Sequence, residues 1–79
     1  IAANAFVALP EIGLGIPLTW GTVPRLVHLV GPARAKRVTI LCERIPAAQA
    51  LEMGVVDYVA APGEALAKAR EVAGRVLTE

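Results

Sequence analysis

The stretch Leu9-Pro10-Glu11-Ile12-Gly13-Leu14-Gly15 decides how this chain reads. Ahead of it, Ala5-Phe6-Val7-Ala8-Leu9 has the apolar character of a strand, and Pro10, which has no N–H to donate to a ladder, marks the strand's end. Glu11 then projects from a rim, between apolar residues and a turn loosened by Gly13 and Gly15. A carboxyl group shut in beside apolar neighbours keeps its proton more readily, because burial disfavours the ion; a general acid or base working near neutrality needs that direction. The competing reading of Glu11 is a solvated loop residue, the common state of a charged side chain.

After Gly21 the pattern turns helical. Val23, Leu26, Val27 and Val30 follow i, i+3, i+4, i+7, with Pro24 tolerable in a first turn and Gly31 placed to end the helix over Pro24–Val30. Beyond Gly31-Pro32, Ala35, Val38, Leu41 and Cys42 repeat helical spacing, while Arg34, Lys36 and Arg37 fall largely on the other side. A short helix is expected from Pro46 to Met53, stopped by Gly54. The β-branched and aromatic run Val55 to Ala60 reads as a short strand. Pro62 opens a last helix with Leu66, Ala69, Ala73, Val76 and Leu77 in one stripe and Gly74 as its weak point. The expected class is α/β, mostly helical with one or two short strands, in a single segment over residues 1–79.

A chain of 79 residues buries only about 60% of its unfolded surface, so its core is thin. Yet 56% of the residues are hydrophobic, above the usual share of roughly 45–50%. More apolar side chains are present than so small a body hides, and the excess predicts a surface meant for another chain or for further sequence. Charge excludes more than it suggests. Eight Lys plus Arg against seven Asp plus Glu leave +1 with no basic run, so no nucleic-acid partner is expected. The apolar region Ala5 to Leu18 is interrupted by Pro10, Glu11 and Pro17 and is shorter than the ~20 residues that cross a bilayer, so no membrane span is expected. The opening residues do not resemble a signal peptide. A single cysteine, Cys42, has no internal disulfide partner, which points to a reducing, cytoplasmic location.

Two separated blocks, in order, carry a family resemblance. Pro10-Glu11-Ile12-Gly13-Leu14-Gly15, followed by Gly21, Arg25-Leu26 and Val30-Gly31, looks like the second half of the crotonase superfamily, the enoyl-CoA hydratases and isomerases. Ile45-Pro46-Ala47-Ala48-Gln49-Ala50 and then Met53-Gly54-Val55-Val56-Asp57-Tyr58-Val59 is similar to that family's helix, glycine turn and valine-rich strand. The resemblance spans nearly the whole chain, and ordered blocks are a stronger signal than one motif. It implies a partial ββα spiral that lacks most of the N-terminal core. It also implies an acyl-CoA thioester substrate, coenzyme A entering as part of that substrate and no separate cofactor. Two backbone N–H groups would polarise the thioester carbonyl, and both belong to upstream sequence.

By the same resemblance Glu11 matches the catalytic glutamate that delivers a proton to the α-carbon in hydratases, and that moves a proton along the enoyl chain in isomerases. Pro10, Thr19 and Trp20 match substrate-binding positions. The loop departs from the family pattern there: aligned on Gly15 and Arg25, small residues are usual where Thr19 and Trp20 stand. A bulky Trp20 would line or shorten an acyl pocket, or else pack on neighbouring helices. Expected partners are further copies, as in the family's trimers, or a complementing N-terminal half. A catalytically silent remnant that works by association is the alternative.

Other residues carry less. His28 has no second ligand at metal spacing and reads as structural or solvated; no metal site is expected. Cys42 reads as a small buried hydrophobe on its helix, and Arg34, Lys36 and Arg37 as a solvated face. Gly13 and Gly15 are not a dinucleotide fingerprint, because the third glycine and the strand-to-helix context are wrong.

Overall fold

The computed structural model describes residues 1–18 and 21–78. Strand β1 is Phe6–Val7 and is followed by a single 3₁₀ turn at Ile12–Leu14. Helices α1, Thr22–Val30, and α2, Pro32–Ile40, come next; then β2, Ile45–Pro46, α3, Ala47–Met53, and α4, Ala65–Thr78. β1 and β2 pair antiparallel, with Phe6 opposite Pro46 and Val7 opposite Ile45. The arrangement is a mostly helical α/β fold around a two-stranded sheet, as expected.

Helix boundaries follow local chemistry. Pro24 lies in the first turn of α1, where its missing N–H would have no intrahelical partner anyway. Gly31 ends that helix at φ 86°, its N–H donating to the Val27 carbonyl, and Pro32 opens α2 at its first position. Gly54 closes α3 in the left-handed region, φ 83°, its N–H reaching the Ala50 and Leu51 carbonyls.

The core is small and sits where α2, α3 and β2 converge. Val38, Ile45, Ala50 and Met53 form it, with Val7, Leu9, Leu26, Val55 and Val56 packed against its edge. Thr39 is buried too, and its hydroxyl donates to the Ala35 carbonyl at 2.8 Å, which satisfies a polar group that would otherwise be costly there. The exposed Phe6 ring carries the Arg44 guanidinium 5.1 Å from its centroid.

Three expectations need correction. The strand expected over Ala5–Leu9 pairs only at Phe6–Val7, and its partner begins at Ile45, in residues read as the entry to a helix. Pro46 fits a strand edge because no partner needs its N–H. The strand expected over Val55–Ala60 does not form. That segment makes one isolated parallel bridge, Ala2 to Ala60, held by Ala3 N–H to Ala60 O at 2.7 Å and Ala60 N–H to Ile1 O at 2.8 Å; β-branched residues supply strand character only where a neighbouring strand is present to pair with. In α4 the stripe Leu66, Ala69, Ala73, Val76 and Leu77 is largely on the outside, with Leu77 at 88% exposure. Ala65, Lys68, Val72 and Gly74 are the half-buried positions, a face rotated by about one residue from the most apolar one.

Area and shape both reveal an unfinished body. The accessible surface is 5654 Å², against about 4500 Å² for a compact monomer of this mass. The radius of gyration is 14.2 Å, where about 12 Å suits a compact domain of this length. Leu14, Ile16, Leu41 and Leu66 are among the apolar side chains left in the open, which bears out the expected excess. No described helix is long and apolar enough to cross a membrane.

Candidate active site

Glu11 stands at the start of the 3₁₀ turn with αR backbone angles, φ −56° and ψ −45°. Four backbone hydrogen bonds tie the turn. Leu14 N–H donates to both Pro10 O, 3.2 Å, and Glu11 O, 3.0 Å; Gly15 N–H donates to Ile12 O at 3.1 Å and Ile16 N–H to Glu11 O at 2.8 Å. Gly15 closes the turn at φ 73°, a left-handed conformation that glycine adopts without a Cβ penalty. Pro10 before it, with φ fixed by its ring, limits how the chain enters. The backbone under Glu11 is therefore held on both sides.

The carboxylate is the unusual part. Glu11 is half-buried, and its Oε2 is shut away from solvent with no hydrogen-bond partner among the described residues. A buried oxygen in that condition is costly, on the order of 1–3 kcal/mol and more if charged, unless something supplies a donor or a proton. Structural carboxylates are normally satisfied by the protein's own donors.

The surroundings are apolar and open. Ile12, Leu14 and Ile16 from the same loop are all about half exposed or more. Pro10, which precedes Glu11 in sequence, is also exposed. Thr19 and Trp20, the other two substrate-binding candidates, lie outside the described residues.

Cys42 corrects a further expectation. α2 ends at Ile40, so Cys42 is not on its apolar stripe; it is half-buried and takes a left-handed conformation, φ 53°. Its thiol comes close to Gly13, where an added Cβ would lie 3.3 Å from Sγ. Sequence periodicity missed this neighbour of the Glu11 turn, because nothing local marks a non-glycine residue that will turn left-handed. The basic group divides as well. Lys36 is exposed as expected, but Arg34 Nη1 donates to the Met53 carbonyl at 3.3 Å and Arg37 Nε to Glu43 Oε2 at 2.9 Å, so two of the three brace neighbouring segments. His28 is exposed on α1, in line with the solvated reading, and among the described residues no cluster of three or more His, Cys, Asp or Glu assembles.

A separate cavity of about 440 Å³ opens between α4 and the Val56–Tyr58 stretch, with Lys68 and Val72 in its wall and no residue of the Glu11 turn. Lys68 Nζ lies 5.3 Å from the Tyr58 ring centroid there. Its size does not make it the site, because the unsatisfied titratable atom is elsewhere.

This chain is a fragment of the crotonase superfamily. It belongs to the enoyl-CoA hydratase/isomerase family, whose model matches residues 1–79. It is 40% identical to a crotonyl-CoA hydratase of Syntrophomonas wolfei over 78 residues, covering 99% of this chain and 30% of that protein. A short-chain-enoyl-CoA hydratase of Clostridium acetobutylicum is 36% identical, covering 98% and 30%. Among solved structures, Pseudomonas aeruginosa DspI superposes with a TM-score of 0.92 at 36% identity, covering 99% of this chain and 30% of that one. An enoyl-CoA hydratase from Bacillus anthracis superposes at 0.89 with 33% identity and the same coverage. The chain thus spans about 30% of the length of the relatives it matches.

Proposed function

We propose that this segment contributes Glu11 as the general acid–base carboxylate of an enoyl-CoA hydratase-like enzyme acting on 2-enoyl-CoA thioesters. The observation that carries this reading is the buried, unpartnered Oε2 on a turn fixed by its own backbone hydrogen bonds. In hydration, the oxygen of water bonds to the β-carbon as that water gives up one of its protons to a base, the α,β double bond supplies the electron pair for a new C–H bond at the α-carbon, and one proton is delivered there. Glu11 would make that delivery, and the absence of a donor to its Oε2 among the described residues supports the reading. General acid–base help of this kind is worth typically 10²–10⁴-fold.

Pro10 precedes the turn, and Thr19 and Trp20 are substrate-binding candidates by their family resemblance alone. The backbone donors for the thioester oxygen, a second glutamate and most of the acyl pocket would come from sequence outside this segment or from a complementing N-terminal half. Coenzyme A is part of the substrate, with no separate cofactor. The large apolar surface supports a trimer-based or complementing assembly, and a cytoplasmic site of action suits the lone thiol. Isomerisation of the enoyl chain would use the same Glu11 alone.

The test is hydration of crotonyl-CoA by the segment alone and mixed with a candidate N-terminal half, each with native Glu11 and with Glu11→Gln. Activity that appears on mixing and disappears with Glu11→Gln supports the proposal. Activity that survives the substitution would remove Glu11 from the chemistry, and a mixture that forms a complex but never turns over would favour the silent-remnant alternative.

A further inference from the structure

We propose that Cys42 is a positioning residue for the Glu11 carboxylate, acting through the notch at Gly13. The proposal rests on the proton-transfer reading of Glu11 and adds a second residue to it. The two observations meet at one contact. Gly13 lies two positions after Glu11 in the same turn, and its φ is not among the positive ones of this chain. An alanine would suit that backbone, so conformational freedom does not explain the glycine. Space does. A Cβ built on Gly13 would lie 3.3 Å from Cys42 Sγ and 4.0 Å from Cys42 Cβ, and the first distance is tighter than ordinary contact.

From the other side, Cys42 is the one described non-glycine residue with a positive φ, 53°. Side chains other than Gly, Asn and Asp rarely occupy that region, and strain there persists only where surroundings over-determine it. The bend that follows α2 turns the thiol toward the Glu11 turn. There its hydrogen points at the Ile40 carbonyl, Sγ to O 3.8 Å, a weak bond that favours one rotamer. The sulfur then fills the space a side chain at Gly13 would take, and the 3₁₀ turn rests on the end of α2. Because the Glu11 carbonyl accepts the Leu14 and Ile16 N–H groups, a shift at Gly13 is passed to the Glu11 backbone and to its carboxylate.

The experiment compares Gly13→Ala, Cys42→Ala and the double variant in the whole polypeptide as the cell makes it, with crotonyl-CoA as substrate. Gly13→Ala is expected to lower kcat about tenfold with KM little changed, since a small misplacement of a reacting group falls on the chemical step. In the double variant two Cβ atoms stand about 4.0 Å apart, so the contact is rebuilt without the sulfur and most of kcat returns. Cys42→Ala alone empties the notch and lowers kcat less than Gly13→Ala. A double variant no faster than Gly13→Ala, or a Gly13→Ala enzyme with native kcat, overturns the proposal. The ¹³C resonance of the Glu11 side-chain carboxyl separates the two layers of inference. If Glu11→Gln leaves turnover intact, the proton-transfer reading has failed, and the contact is then judged on that resonance: a shift in Gly13→Ala that reverses in the double variant keeps it, and no shift ends it. Should Gly13→Ala not fold, recovery of folding in the double variant supports the contact and its absence counts against it.

Discussion

Arg37 and Glu43 meet across the bend that ends α2, Nε to Oε2 at 2.9 Å, with both side chains about a third exposed. With the Gln49 amide oriented so that its oxygen faces the guanidinium, Gln49 accepts from the same Arg37 at 2.8 and 3.2 Å. One arginine therefore joins α2, the bend and α3. Partial exposure limits what the ion pair is worth, because water and salt screen it. Glu43→Gln is expected to cost no more than about 1 kcal/mol, and less in high salt than in low. Urea denaturation at two ionic strengths checks both statements.

Loss of core volume should weigh far more. Ile45 is fully buried and central to the cluster with Val38, Ala50 and Met53. Ile45→Ala is expected to destabilise the fold by about 3 kcal/mol, the removed methyl groups and the cavity adding together. Leu77→Ala, at 88% exposure, should stay within about 0.5 kcal/mol. Denaturation midpoints of the two variants, measured side by side, give the comparison.

Two glycines should respond in opposite directions to alanine. Gly54 sits at φ 83° and ends α3, so Gly54→Ala forces a Cβ into the left-handed region at a cost of about 1–2 kcal/mol. Gly74 lies inside α4 with nothing within 4 Å of an added Cβ. Gly74→Ala should raise stability by about 0.5–1 kcal/mol through a smaller entropy loss on folding. Thermal melts of both variants would show a fall for the first and a rise for the second.

In the proposed role Glu11 carries the proton, and Glu11→Gln keeps the shape of the side chain while removing that group. In the complete assembly kcat for crotonyl-CoA should fall by about 10² or more while KM changes little, the pattern of an interaction used in the transition state. Steady-state kinetics of the paired proteins measure it.

Much of the fold was legible along the chain because it depends on neighbours in sequence. Pro32 opening α2, Gly31 ending α1 and Gly54 ending α3 are backbone consequences of single residues, and the helical spacing of Leu26 and Val38 foretold their inward faces. The Glu11 turn was legible for the same reason: Pro10, Gly13 and Gly15 lie within a few residues of it. Strand pairing was not. Whether Ile45–Pro46 enters a helix or pairs with Phe6–Val7, and whether Val55–Ala60 finds a full partner, depends on segments far away in sequence.

The amino-acid order thus determined where α1 and α3 end and where α2 opens, and that the apolar content exceeds what 79 residues can cover, because these follow from local sterics and composition; α4 begins at Ala65, three residues past the expected Pro62. Only the tertiary structure decided that Oε2 of Glu11 is shut in without a donor among the described residues, that Cys42 leaves its helix to lie against Gly13, and that α4 presents Leu66 and Leu77 outward. Each of those depends on how distant segments approach, and packing selects among approaches that local preference leaves equal.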